Sequence, residues 1–253
     1  GGIVRNNTIR HLQLKSDNYT DDILFPRLMK ALQGHPSQLQ GLRLWSRKIT
    51  TEHLKDFAGY LGHKECSVKK LQIQQSEFSD VFPPEFLNIQ NASVESVYLS
   101  NSDGWGGFVS AVCPKLSCLS KLMIVAQEAM DLVPLDVLLC DESALPSLTH
   151  LVLASRGLEK EALLLFASKF PRMKHLRNIY FSCPIFYQYG KPELCIREPF
   201  CRLAQKSKSL EVLDCYSADD RPVGTLADLI RVLNLNKAGR RGLKVMSAGR
   251  SLD

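Results

Sequence analysis

A short apolar phrase recurs along the chain: an apolar residue, two variable ones, an apolar residue, one variable, an apolar residue. It reads Ile9-Leu12-Leu14, Leu39-Leu42-Leu44, Val68-Leu71-Ile73 and Val94-Val97-Leu99. It continues as Leu119-Leu122-Ile124, Leu148-Leu151-Leu153, Leu176-Ile179-Phe181 and Leu210-Leu213-Cys215, with a weaker ninth copy near Leu243-Val245. The first anchors fall at 9, 39, 68, 94, 119, 148, 176, 210 and 243, in steps of 25 to 34 residues. One such triplet carries no information in a chain with 39 leucines. Near-even recurrence over the whole length does, because self-similarity at this period marks a stacked repeat architecture.

Two periodicities alternate within each unit. Positions four and six of the phrase lie two apart and so share one face of a short strand. Between phrases the spacing becomes helical, as in Ile23, Leu24, Leu28 and Leu32, and in Leu54, Phe57 and Leu61. Leu163, Leu164, Phe166 and Phe170 repeat it, as do Leu226, Leu229, Ile230 and Leu233. Thr50 and Thr51 suit a helix N-cap with Glu52 in the first turn, and Pro199 suits another helix start. Each unit thus reads as strand, loop, helix, loop. Neither half buries its apolar face alone, so stacking should place the strands in one parallel sheet with the helices on its other side.

The segment from Leu148 to Leu158 resembles the leucine-rich-repeat phrase L-x-x-L-x-L-x-x-(N/C)-x-L, and Leu39 to Ile49 and Val68 to Phe78 fit the same frame. The repeat length resembles the helix-bearing, ribonuclease-inhibitor-like class. The resemblance implies an α/β right-handed solenoid, a horseshoe with parallel strands on the concave face and helices on the convex face. It spans residues 1–253 as a single domain of about eight to nine units. The ninth phrase position departs from Asn or Cys, holding Asp17, Arg47, Ser76, Ser102, Gln127, Arg156, Pro184, Ala218 and Ser251. A less regular loop ladder is therefore expected. No terminal cap is evident, and truncation at one or both ends is the expectation.

Positions three, five and seven of each phrase should point away from the core. Among these 27 positions, Lys15, Arg43, Lys70 and Lys121 are basic, and Asp214 is the one acid. Trp45, Tyr98, Tyr180 and Tyr216 are aromatic, and such amphipathic rings anchor interfaces. The face is polar and basic in the first three repeats and more apolar from the fifth on. The partner-binding set expected from this pattern is Arg43, Trp45, Lys70, Tyr98, Lys121, Tyr180, Asp214 and Tyr216. A second candidate contact is the aromatic insertion containing Phe186, Tyr187 and Tyr189.

Composition narrows the classes further. The chain has 253 residues, 45% apolar and 23% charged, an ordinary globular balance. Its net charge of +6 divides evenly, +3 in each half, without the concentrated basic tract of a nucleic-acid binder. No apolar run reaches the length of a membrane span. The eight cysteines form no Cys-x-x-Cys and no zinc spacing, which favours reduced thiols in the cytoplasm or nucleus. Asn6, Asn18 and Asn91 head Asn-x-Ser/Thr triplets, a weak pointer to the cell exterior.

Chemistry is sparse. Ser102 to Phe108 is glycine-rich and leads into a short helix, but lacks the Gly-Lys-Ser/Thr of a phosphate loop. The six histidines show no metal or catalytic spacing, and no Gly-x-Ser-x-Gly elbow exists. Asp219-Asp220-Arg221 and Arg240-Arg241 read as a solvated charge cluster and a helix-end cation pair. The expectation is a non-catalytic, monomeric scaffold that binds a protein partner through the concave face, with no cofactor, no metal, no nucleic acid and no membrane. Alternatives implied by the resemblance are the substrate-recognition region of an F-box ubiquitin-ligase receptor, the sensor end of a nucleotide-binding immune-type receptor, and a GTPase-activating protein of the Ran type. Ribonuclease inhibition itself is disfavoured, since a basic target calls for an acidic face.

Overall fold

The structure is a computed structural model that describes residues 8–15, 21–33, 38–45, 48–79, 82–130, 135, 145–157, 168, 175–182 and 209–216. The chain divides into two compact units. The first comprises Gly1–Ile124 with Val133–Leu148, the second Val125–Leu132 with Thr149–Asp253.

In the first unit the repeated phrases form parallel strands β1 (His11–Lys15), β2 (Gly41–Trp45), β4 (Lys70–Gln74), β6 (Ser96–Ser100) and the start of β7 (Lys121–Ala129). A second, two-stranded parallel sheet pairs β3 (Lys48–Ile49) with β5 (Glu77–Phe78). Register is strict: His11, Gly41, Lys70 and Ser96 align, as do Gln13, Arg43, Gln72 and Tyr98. One repeated backbone device sets it. The carbonyl at the second phrase position accepts two N–H groups from the next repeat. Arg10 accepts from Gln40 and Gly41 at 2.7 and 3.0 Å, Gln40 from Lys69 and Lys70, Lys69 from Glu95 and Ser96, and Glu95 from Ser120 and Lys121.

The first, fourth and sixth phrase positions form the core. Leu39, Leu42, Leu44, Val68, Leu71, Ile73, Val94, Val97, Leu99, Leu119, Leu122 and Ile124 are each at most 2% exposed. Ile9, Leu12 and Leu14 are half-buried, because β1 pairs on one side alone among the described residues. The apolar eleventh position is also buried: Ile49 and Phe78 bring β3 and β5 into the interior.

Helix α1 (Asp21–Gln33) and helix α2 (Thr51–Leu61) follow the first two phrases. Thr50 caps α2: its hydroxyl accepts from the His53 N–H at 3.3 Å, while His53 Nδ1 accepts from the Thr50 N–H at 3.4 Å. This reciprocal pair is a capping box with histidine in the usual Glu/Gln place. Phe25 of α1 packs against His53 and Phe57 of α2, with ring centroids 5.1 and 6.5 Å apart.

The uniform strand–helix unit does not persist. After β4 the helix shrinks to a 3₁₀ turn, Pro84–Asn88, and Pro83 and Pro84 bar it from starting earlier, since residues inside a helix must donate their N–H. After β6 comes α3 (Trp105–Ala111), seven residues long, then a 3₁₀ turn, Cys113–Lys115. Phe78, Phe82, Phe86 and Phe108 fill the space left by the missing helix, Phe78 and Phe108 at 5.3 Å and Phe82 and Phe86 at 5.8 Å.

At two of the ninth positions serine orders the loop corner. Ser76 and Ser102, both at the ninth position, are buried. The Ser76 N–H reaches Ser102 Oγ at 3.4 Å, and Ser102 Oγ donates to the Ser100 carbonyl at 3.1 Å. Serine thus serves as a short substitute in this corner.

The second unit repeats the pattern. Strands β8 (His150–Gly157), β9 (Asn178–Ser182) and β10 (Val212–Tyr216) are parallel and in register. The Thr149 carbonyl accepts from Arg177 and Asn178 at 2.9 Å each, and the Arg177 carbonyl accepts from Glu211 and Val212. Leu151, Leu153, Leu176, Ile179, Phe181 and Leu210 are buried. The helical spacings at 163–170 and 226–233, Pro199, and the ninth phrase lie outside the described residues.

Candidate functional site

The outward positions three, five and seven are more exposed than the buried set beside them. In the first unit His11, Gln13, Lys15, Lys70 and Lys121 are exposed, while Arg43, Trp45, Gln72, Gln74, Tyr98 and Met123 are half-buried. Two positions depart from expectation. Ser100 is only 7% exposed. Gly41 is buried, and the His11 imidazole occupies the space where its side chain would be.

The structure brings Lys15, Arg43 and Trp45 together. Lys15 Nζ lies 4.9 Å from the centroid of the Trp45 indole, and the Arg43 guanidinium carbon lies 5.6 Å from it. Both distances suit cation–π attraction. Strand register explains the first contact, since Lys15 aligns with Trp45 on adjacent strands. The Arg43 guanidinium donates to Gln74 Oε1 through Nε, at 2.8 Å, and through Nη2. The Trp45 indole N–H donates to Gln75 Oε1. Gln75 has a φ of 49°, a left-handed bend at the end of β4. The Arg43 guanidinium is therefore positioned by a neutral amide.

Tyr98 stands in the same row as Arg43, with Gln72 between them. Lys70 and Lys121 open their strands and project singly, without a carboxylate partner among the described residues. Neighbouring Lys69 does have one: it pairs with Glu95 at 2.9 Å, and the hydrogen bond and charge of Glu95 hold its pKa above the usual lysine value. In the second unit Tyr180 is half-buried and aligned with Val152 and Asp214, and Tyr216 aligns with Ser182. His150 beside them bonds Asn178 at 2.5 Å and Thr149 at 2.8 Å. The Phe186–Tyr189 segment, Asp219-Asp220-Arg221 and Arg240-Arg241 lie outside the described residues.

Packing accounts for the glycine-rich segment. Gly104, φ +69°, caps α3 and backs onto Phe78, whose carbonyl oxygen would stand 3.1 Å from a Cβ there. At Gly107 a Cβ would meet the Phe82 ring at 2.5 Å.

Two features were not read from the sequence. Asn91 is a buried hub, 3% exposed. Its Nδ2 donates to the Leu61 carbonyl at 2.8 Å, and its Oδ1 accepts from the N–H groups of Ser93 and Val94 at 2.9 and 2.8 Å. A glycan on this nitrogen is incompatible with the fold, so the Asn91 triplet is no pointer to the cell exterior. Asn6 and Asn18 lie outside the described residues. The second feature is a set of serines that reach back one repeat. Ser67 Oγ donates to the Leu39 carbonyl, Ser117 to Asn91, and Ser147 to Ser117, at 2.7 to 3.3 Å. Serines just before a phrase were the available signal.

Among the described residues no group of three His, Cys, Asp or Glu is placed to hold a metal. None of the described helices is long and apolar enough to cross a membrane.

No known protein family matches the chain, and no curated protein matches it. Among solved structures it is similar to the leucine-rich repeat-containing protein LegL7 from Legionella pneumophila, at 14% identity and a TM-score of 0.37, over 93% of this chain and 92% of that one.

Proposed function

We propose that the chain is a protein-interaction module of the leucine-rich-repeat kind, in the ribonuclease-inhibitor-like class, that holds a protein partner on the outward face of its strands without catalysis of its own. The observation that carries this reading is the Lys15–Arg43–Trp45 cluster. It sets a large aromatic ring on a face made of regular backbone, anchored by Gln74 and Gln75. Large rings held in place lose little entropy on binding, and Trp, Tyr and Arg dominate interface energetics. Strands fixed by paired backbone bonds give the face a preformed geometry. The proposed contact set is Arg43, Trp45, Lys70, Tyr98 and Lys121 in the first unit and Tyr180, Asp214 and Tyr216 in the second.

We place its work in the cytoplasm or nucleus, as a monomer. Reduced thiols fit that compartment, and among the described residues Cys66, Cys113 and Cys118 are not in disulfides.

The test is affinity capture with mass spectrometry, comparing wild type with the triple variant Trp45→Ala/Tyr98→Ala/Tyr180→Ala. The expected result is a partner retained by wild type and lost by the variant, with far-UV circular dichroism and melting unchanged. Partners that survive the variant would sink this reading.

A further inference from the structure

We propose that Asp103 and Gly104 form a site of spontaneous self-modification, at which the Asp103 carboxyl closes on the Gly104 amide nitrogen and reopens as an isoaspartyl link. The inference goes beyond the proposed function, since these residues lie past the outward positions of β6, in the turn that leads into α3. The argument begins with the sequence. Asp103-Gly104 is the one Asp-Gly pair of the chain, which has no Asn-Gly. Closure of a carboxyl on the next amide nitrogen is least hindered before glycine, which puts no Cβ beside the attacking atom.

The structure leaves both reacting groups available. Asp103 and Gly104 are exposed. Among the described residues no cation pairs with the Asp103 carboxylate and no donor bonds it. The residue aligned with it on the neighbouring repeat is another acid, Glu77. Gly104 is the N-cap of α3, so its carbonyl is used, accepting from the Gly107 N–H at 3.1 Å. Its own N–H falls outside the helical ladder and meets no acceptor among the described residues. The fold also keeps the glycine in place. Gly104 has a φ of +69°, and a Cβ there would stand 3.1 Å from the Phe78 carbonyl oxygen. Any bulkier residue that would slow the closure is strained at this position.

The reaction balances with water alone. The Gly104 nitrogen forms a bond to Asp103 Cγ, and the hydroxyl of the protonated carboxyl leaves with the amide proton as one water. The succinimide so formed takes back one water. Addition at Cγ restores the aspartyl link. Addition at the former main-chain carbonyl carbon breaks its bond to the Gly104 nitrogen instead. The chain then runs through Cβ and Cγ, one atom longer, and the old carbonyl becomes a free carboxylate. That carbonyl is the acceptor of the Phe78 N–H at 3.0 Å, in the bridge between Glu77 and Asp103. Isomerisation therefore alters the corner where one repeat holds the next.

The experiment ages the folded full chain in buffer at physiological pH and temperature. Samples are digested and mapped by liquid chromatography with electron-transfer dissociation, which distinguishes isoaspartyl from aspartyl peptides of equal mass. A synthetic peptide spanning Ser100 to Phe108 ages alongside as the unshielded reference. Two variants accompany them, with circular dichroism to confirm an unchanged fold. Asp103→Glu keeps the charge but needs a larger ring, and Asp103→Asn closes the same ring with loss of ammonia in place of water. The expected result is isoaspartate at position 103 of the folded chain, formed at a rate within about tenfold of the peptide's, as an exposed turn allows. It should exceed isomerisation at the helical Asp56 by at least about tenfold, since regular helix holds the backbone fixed. Asp103→Glu should abolish it and Asp103→Asn should convert faster than wild type. Amide exchange at Phe78 should quicken in the converted fraction. A folded chain that stays unmodified while the peptide isomerises overturns the inference, because the fold then holds the two groups apart. Isoaspartate arising first at Asn101, marked by the mass gain of deamidation, overturns it as well. Phe78 protection equal to that of the fresh chain overturns the effect on the corner.

Discussion

Replacing Asn91 by alanine should cost this fold about 3–5 kcal/mol, although the change removes only an amide. Asn91 spans the end of α2 and the start of the fourth phrase. Its side chain satisfies the Leu61 carbonyl and the N–H groups of Ser93 and Val94. Leu61 and Val94 are each 0% exposed, so water cannot replace the lost partner. Each orphaned buried group costs about 1–3 kcal/mol. Ser93 is half-buried, and its N–H can rehydrate for a few tenths. The vacated space adds a little more. Domain stabilities are about 5–15 kcal/mol, so the loss is a large share. The assay is urea unfolding followed by far-UV circular dichroism. With a slope of about 2 kcal/mol/M the midpoint should fall by about 2 M. Exposed neighbour Gln90→Ala should stay within about 0.5 kcal/mol. Hydrogen exchange supplies the local readout, since the Val94 amide should lose its protection. A penalty below about 1 kcal/mol with an unchanged slope would refute the reasoning, because it would mean the three groups find other partners.

Thr50→Ala removes half of the α2 capping box and should lower stability by about 1 kcal/mol in thermal melts, with Thr50→Ser close to wild type. Gly104→Ala forces an L side chain into a φ of +69° and against the Phe78 carbonyl, so it should cost about 1–2 kcal/mol or more. Burial pushes the Cys113 thiol up to about 12, whereas Cys118 is exposed. Iodoacetamide at neutral pH with peptide mapping should therefore label Cys118 and spare Cys113 until the chain unfolds. The unfolded thiol ionises near its ordinary value and the folded one does not. Stability from this group is thus complete below pH 9 and declines as the pH climbs toward 12.

The strand positions were legible because their signal is physical and local. Leu71 and Ile73 lie two apart, and both are 0% exposed; a strand with one buried face requires that. Leu54, Phe57 and Leu61 follow a helical period, and Thr50 stood where a cap belongs. What escaped had no periodicity to announce it. Pro83 and Pro84 bar a helix from starting before them, and the 3₁₀ turn that follows has no signal in the repeat length. Ser76 and Ser102 rebuild the corner ladder with a residue too common to be diagnostic. Asn91 read as a modification triplet because its partners, Leu61 and Val94, sit in different repeats. Of the candidate contact residues, alternation alone put Trp45 and Arg43 on the outward face. Their convergence with Lys15 on one ring depends on cross-strand register, which no single phrase contains.

In-register parallel strands make the first unit's face a ruler with one division. Neighbouring strands stand about 4.8 Å apart, so each repeat marks the same interval. An extended chain lying across them shows one face about every 6.7 Å and drifts out of step with the marks. An α-helix rises about 1.5 Å per residue, so alternate steps of three and four residues, which keep to one face, advance about 4.5 and 6 Å. Lys70 and Lys121 open strands with β6 between them, about 9.6 Å apart by this measure. Helical residues seven apart share one face and span about 10.5 Å. A partner that crosses the strands as a helix returns the same face to every second repeat, and one that crosses extended must shift phase at every strand.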